Sequence, residues 1–344
     1  METIRVGVIG CGYWGPNLIR NFDRIEGAEV RWICDKNESR LREVTRELRL
    51  HHTRATEDYR RLIEDRELDA VAIATPVSTH YPIARDALEA EKHVLVEKPL
   101  TRRAEESRRL IERAREKDRI LMVDHTFEFS APVIRLKELI ERGELGTILY
   151  INSVRVNLGL FQEDITVLWD LAPHDLSIVN CLLGRPPLKV SAQGMAHIDK
   201  RLEDVAFLTV YYDRDIMAHF HISWLDPCKI RRMTIVGDRK MAVYDDMDAN
   251  EPLRIFDKGV TKQPYFSDYG EFKLHYRFGD VFSPRINIVE PLKLVCSHFL
   301  ECIRNGATPR SDGLSGLRVV EIIEAAERSL KAGGNLEPVC SGDG

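Results

Sequence analysis

The stretch VGVIGCGYWGPNLIRNF, Val6 to Phe22, decides how the first third of the chain folds. Its opening residues are apolar without alternation and read as a buried strand. Gly10, Gly12 and Gly15 follow in the spacing G-x-G-x-x-G, and Pro16 opens an amphipathic run. Proline suits the first turn of a helix, where its fixed φ is already helical and its missing N–H would have had no partner. The pattern predicts strand, tight turn, helix. Gly10 permits the turn, Gly12 lets the backbone approach a pyrophosphate, and Gly15 lets the helix pack closely on the strand. Free N–H groups at the helix N-terminus would receive the phosphates. Tyr13 and Trp14 either line the dinucleotide or pack on a neighbouring domain.

Asp35 closes the next apolar run, twenty residues after Gly15. An acid there accepts hydrogen bonds from the adenosine ribose and repels a 2′-phosphate, which predicts NAD rather than NADP. Lys36 beside it works against that preference.

Outward from this stretch, short apolar runs continue at Val30–Cys34, Ala70–Ala74, His93–Glu97 and Ile120–Asp124, with amphipathic segments between them. Apolar strands alternating with helices predict a parallel sheet covered on both faces, here residues 1–124. Beyond Asp124 the pattern changes. A helix over about Val133–Arg142 leads into runs with two-residue alternation, such as VAFLTVYY from Val205 and IMAHFHISW from Ile216. These predict a second domain, 125–344, of α+β class with a large, mostly antiparallel sheet covered on one face. Helices are expected at Pro291–Asn305 and Gly316–Ala332. The Pro-, Gly- and aromatic-rich stretch Pro252–Arg285 reads as irregular.

The 344 residues suffice for two domains. A net charge of −5, with acids interleaved among the basic runs, gives no electrostatic case for nucleic acid. Seven cysteines without C-x-x-C spacing suggest neither a disulfide framework nor a metal site. No signal-peptide pattern is seen, and no apolar run approaches the ~20 residues of a membrane helix. A cytoplasmic protein without membrane partners is expected.

Two further stretches carry a family resemblance. AIATPVSTHYPIARDALEAEKHVLVEKPL (Ala72–Leu100) holds Thr75-Pro76, His80 and Glu97-Lys98-Pro99; WDLAPHD (Trp169–Asp175) holds Asp170 and His174. With the glycine fingerprint, this ordered set resembles the glucose–fructose oxidoreductase, inositol dehydrogenase and rhizopine-catabolism family, Gfo/Idh/MocA, along essentially the whole chain. The resemblance implies a Rossmann domain, then a domain with an open antiparallel sheet, and an active site in the cleft between them. It implies Thr75, Pro76, His80, Glu97 and Lys98 at the cofactor, and Lys98, Asp170 and His174 as catalytic residues. It also implies a homodimer or homotetramer formed through the open face of the second sheet.

The residues of WDLAPHD fit that assignment. Proline is expected only in the first turn of a helix, which places the helix start near Asp170. Asp170 and His174, four apart, then share a face, where the carboxylate orients the imidazole and its other nitrogen takes a proton. Asp175 lies about a quarter-turn away and is left out of the chemistry. Trp169 either walls the nicotinamide pocket or packs against the domain interface.

Val156–Val179, Ser223–Asp246 and Pro284–Ile303 resemble the branch that oxidises nucleotide-linked sugars, including 3-dehydrogenases of UDP-N-acetylglucosamine and its uronic acid. A sugar-nucleotide pyrophosphate needs cations; Arg155, Arg231, Arg232 and Arg285 are candidates among which the sequence does not choose. An inositol or free-sugar dehydrogenase is the first rival reading. A non-catalytic dinucleotide sensor is the second, and the retained Lys98, Asp170 and His174 argue against it.

Overall fold

Unalternating runs of Val, Ile, Ala and Leu do form strands buried on both faces, because helices return over each side of the sheet. The computed structural model describes residues 3–159, 161–162, 165–262 and 274–339. The chain divides into two compact units, Met1–Ser130 with Val289–Glu324, and Ala131–Ile288 with Ala325–Gly344.

The first unit runs β1 (Ile4–Ile9), α1 (Gly15–Asp23), β2 (Ala28–Cys34), α2 (Glu38–Glu47), β3 (Arg54–Thr56) and α3 (Tyr59–Ile63). It continues β4 (Ala70–Ile73), α4 (His80–Glu89), β5 (His93–Glu97), α5 (Ala104–Glu116) and β6 (Leu121–Asp124). The strands are all parallel, in the order β3-β2-β1-β4-β5-β6. This is the Rossmann order, whose reversal between β1 and β4 opens a crevice at the strands' carboxyl ends. The short β3 has no counterpart among the apolar runs. Its three residues, two of them exposed, carry no apolar signal.

The second unit contains α6 (Ala131–Glu141), β7 (Ile148–Leu158), α7 (Val167–Leu183), β8 (Pro187–Met195), β9 (Val205–Tyr212) and β10 (Met217–Ser223). β11 (Leu225–Gly237), β12 (Met241–Asp245), β13 (Leu253–Lys262) and β14 (Leu274–Phe282) follow. The chain closes with α8 (Pro291–Asn305), α9 (Gly313–Lys331) and β15 (Glu337–Pro338). The second sheet has the order β14-β13-β12-β11-β7-β10-β9-β8-β15, and every described neighbour pair is antiparallel except β7–β10. Along β9 and β10, Ala206, Leu208, Val210, Ala218, Phe220 and Ile222 are buried beneath α7. The alternate residues Phe207, Thr209, Tyr211, Met217, His219 and His221 are not buried, and Phe207 stacks on His221 at 4.5 Å.

Two expectations need correction. The stretch Pro252–Arg285 is not irregular: β13 and β14 pair across it, from Ile255 opposite Phe282 to Lys262 opposite Leu274. Its aromatic residues Tyr276 and Phe278 are strand residues on an exposed surface, so no buried alternation announces them. Residues 263–273 lie outside the described set. The division of the chain also departs from a single boundary at 124/125, because residues 289–324 group with the first unit. Leu292, Val295, Cys296, Phe299 and Leu300 of α8 join Val6, Val8, Leu18 and Phe22 in one core, with Phe22 and Phe299 edge to face at 6.5 Å.

Candidate active site

The glycine turn has the geometry its spacing predicts. Gly10 has φ +97°, and a Cβ there would stand 2.3 Å from the Ala74 carbonyl oxygen. A Cβ at Gly15 would meet the Gly10 carbonyl oxygen at 1.9 Å, so only glycine lets α1 start there. At Gly12 a Cβ would meet nothing within 4 Å, which leaves the backbone side open. α1 has no side-chain cap and no acid in its first turn, so its positive end is uncompensated. Open backbone beside an uncapped helix N-terminus fits a dinucleotide pyrophosphate.

Asp35 braces this turn. Its Oδ2 accepts the Cys11 N–H at 2.7 Å and its Oδ1 the Asn37 N–H at 2.8 Å, leaving lone pairs for ribose hydroxyls. Arg40 adds a second brace that no sequence spacing reveals. From α2 it donates to the carbonyl oxygens of Cys11 (2.7 Å) and Gly12 (3.1 Å), and pairs with Glu43. Tyr13 is exposed, whereas Trp14 turns inward and its Nε1 donates to Asp124 at 3.4 Å.

The carboxyl ends of β4 and β5 carry the next group. Thr75 and Pro76 follow β4, and the Thr75 hydroxyl accepts from Thr79 at 2.7 Å. His80 is buried, and its ring nitrogens lie 2.9 Å from the Pro99 carbonyl oxygen and 2.8 Å from that of Thr75. The ring spans the Thr75 turn and the Glu97-Lys98-Pro99 turn, and when neutral its single N–H donates to one of the two carbonyls. Burial pushes its pKa down despite the facing carbonyls.

Lys98 stands at the carboxyl end of β5 beside two carboxyl groups. Glu97 and Asp124 are register partners on β5 and β6; Asp124 is buried, and Glu97 is half-buried with its Oε1 shielded. Burial, and then the charge of Asp124, holds Glu97's pKa well above the ordinary carboxyl range. Burial also raises Asp124, against the pull of hydrogen bonding with Glu97, Thr126 and Trp14. Next to them His125 is buried with neither ring nitrogen hydrogen-bonded, and burial followed by the Lys98 charge pushes it down to about 3.

In the second unit, α7 begins at Val167 rather than near Asp170, so Pro173 lies well inside the helix. Val167, Leu168 and Trp169 are all buried, and that apolar turn is held by the Glu203 carbonyl, which accepts the Val167 N–H. Packing there outweighs the hydrogen bond that Pro173 cannot donate to the Trp169 carbonyl. Asp170 and His174 remain four apart on one face, both half-buried. Asp170 Oδ2 accepts the indole N–H of Trp224 at 3.0 Å, an orienting contact that the sequence does not announce. Trp169 is 1% exposed, and its Nε1 donates to Glu327 at 2.6 Å.

Asp175, a quarter-turn away, is buried and accepts from Arg155 at 2.7 and 2.8 Å and from Ser153 at 3.0 Å. That pairing removes Arg155 from the candidates for a substrate pyrophosphate. Arg231 and Arg232 pair with Asp246 and Asp245, and Arg285 is exposed.

Residues 4–125 match the oxidoreductase family with NAD-binding Rossmann fold, and residues 133–243 match the GFO/IDH/MocA C-terminal domain. The chain belongs to the Gfo/Idh/MocA family. It is 31% identical to the UDP-N-acetylglucosamine 3-dehydrogenase of Acidithiobacillus ferrooxidans over 77% of this chain and 80% of that one. It is 26% identical to the myo-inositol 2-dehydrogenase of Thermotoga maritima, over 95% and 96%. The solved structure of the A. ferrooxidans enzyme superposes with a TM-score of 0.77 over 96% of this chain and all of that one, at 28% identity. This Gfo/Idh/MocA member is thus an oxidoreductase whose first unit is an NAD-binding Rossmann domain, with NAD as its cofactor. Among the described residues no helix is long and apolar enough to cross a membrane.

Proposed function

We propose that the enzyme oxidises a nucleotide-linked sugar with NAD, at C3 of a UDP-N-acetylhexosamine or its uronic acid. The observation that carries this reading is the 31% identity to UDP-N-acetylglucosamine 3-dehydrogenase, supported by retention of Lys98, Asp170 and His174. Gly10, Gly12, Gly15, Asp35 and the Thr75–Pro76 turn would hold NAD, which when bound accepts a hydride. His174 takes the hydroxyl proton, and Asp170 fixes the orientation of the imidazole. The Lys98 ammonium donates to the reacting oxygen and stabilises its developing alkoxide character.

The test is NADH formation across UDP-sugars, free sugars and inositols, with the UDP-N-acetylhexosamine or its uronate expected to give the highest kcat/KM. Preference for an inositol would replace this reading with the second one, which the myo-inositol relative favours by covering 95% of the chain. His174→Ala and Lys98→Ala should each lower kcat by roughly 100- to 10,000-fold while NAD still binds. A folded His174→Ala variant with near-normal kcat would move the base elsewhere. The uncovered face around Phe207, Tyr211 and Met217 supports a homodimer or homotetramer. A single 39.5 kDa species in light scattering would overturn that assembly.

A further inference from the structure

The cluster at the ends of β5 and β6 contains more carboxyl groups than the proposed chemistry uses. Asp124 receives three different neighbours. Thr126 donates to its Oδ1 at 2.7 Å, the Trp14 indole reaches its Oδ2 at 3.4 Å, and Glu97 faces it across the parallel pair. Glu97 in turn accepts the Lys98 backbone N–H on Oε2 at 3.3 Å, while its Oε1 is buried without a partner. Trp14 belongs to the glycine-rich loop, immediately before α1. Trp14, Asp124, Glu97 and Lys98 therefore form an unbroken series from the dinucleotide loop to the lysine.

We propose that Asp124 is a positioning residue: it couples the dinucleotide loop, through Trp14, to the placement of Lys98, through Glu97. This rests on the role given to Lys98 above. The two carboxyl groups face each other from adjacent strands, with Asp124 buried and Glu97 half-buried, so both carrying charge is costly and a proton held between them is favoured. The other ionisable groups facing the pair are Lys98 at the end of β5, His125 after β6, and Cys296 on α8. The His125 imidazole is neutral at physiological pH, and burial holds the Cys296 thiol well above its usual range. Lys98 is then the one cation opposite the pair among these groups. A residue that only filled space would hold the backbone in place but would leave the ionisation of Glu97 unchanged.

The experiment compares wild type with Asp124→Asn, Glu97→Gln and Trp14→Phe in two readouts, kcat against pH from 5.5 to 10 and NAD affinity. Asp124→Asn removes the like charge that keeps the proton on Glu97. The limb that Glu97 contributes should move toward acid by about one pH unit, a tenfold change in its ionised fraction at fixed pH. Glu97→Gln should erase that limb. Trp14→Phe and Asp124→Asn should each weaken NAD binding several-fold, and the double variant should be no weaker than the worse single variant. Coincident pH profiles in folded variants, with additive losses in NAD affinity, would overturn the proposal. Should Asp124→Asn melt below the assay temperature, Glu97→Gln and Trp14→Phe still decide it. If Lys98→Ala retains turnover, the reading of Lys98 fails; if it loses turnover while the profiles coincide, only the coupling fails.

Discussion

Two polar pairs shielded from solvent to different degrees, one in each unit, show how burial serves different ends. Arg155 and Asp175 are both enclosed, oppositely charged and joined by two hydrogen bonds, with Ser153 satisfying the second carboxylate oxygen. Asp124 is likewise buried and Glu97 half-buried, yet they are two acids side by side, and Glu97 keeps a shielded oxygen without a partner. The first pair is complete within the second unit. The second carries an electrostatic cost that the nearby Lys98 charge offsets only in part, at the carboxyl edge of a Rossmann sheet, where ligands bind. A satisfied pair holds a sheet to its helix; a frustrated pair lies beside the lysine proposed to act on the substrate.

The largest expected effect comes from breaking the satisfied pair. Asp175→Ala leaves Arg155 buried and unpaired, and should cost about 3–5 kcal/mol in chemical denaturation. A loss under about 1 kcal/mol would mean that water reaches the guanidinium. Breaking the frustrated pair should do the reverse. Glu97's pKa is raised in the fold, so above its ordinary range the unfolded chain gives up a proton that the folded one retains. Stability contributed at low pH is then lost as pH rises toward the folded value, by about 1.4 kcal/mol for each tenfold difference in acidity between the two states. Glu97→Gln should therefore melt higher than wild type at pH 8, match it near pH 4, and turn over more slowly. Equal melting temperatures at both pH values would show that Glu97 ionises normally.

A smaller effect belongs to a third, more exposed pair. Glu290, before α8, accepts from Arg20 and Asn21 of α1, and the Arg20 contact holds its pKa down to about 2. Its stabilisation is present above the ordinary Glu range and fades as pH falls toward 2. Solvent screening limits it to about 0.5 kcal/mol, so Glu290→Gln should shift denaturation only slightly at pH 7 and less still at pH 2.5. A loss comparable to that of Asp175→Ala would place this pair among the buried ones.

How much of this is legible in the sequence follows from what each signal measures. The glycine turn, Asp35 and the parallel strands are readable because backbone sterics and double-sided burial constrain residue type at each position. The start of α7 is not, because Pro173 is a local signal while the burial of Val167–Trp169 is a tertiary one. Arg155 and Asp175 read as a free cation and an idle acid, since twenty positions separate them and only the sheet brings them together. Trp224 against Asp170 is hidden for the same reason, across 54 positions. Asp124 does carry a trace: it ends the last apolar run of the parallel sheet, as Asp35 follows the second.

The clamp of Arg40 on the Cys11 and Gly12 carbonyls bears on how this protein could change its coenzyme. Acquiring NADP use commonly requires removing the acid at the ribose and supplying a cation for the extra phosphate. Here an arginine on α2 is already committed to the loop and to Glu43, so releasing it would slacken the turn that every dinucleotide needs. Asp35→Ser alone should weaken NAD without gaining NADP. A selection experiment should find its first successes in pairs of changes, with Lys36 or a new basic residue recruited while Arg40 stays untouched.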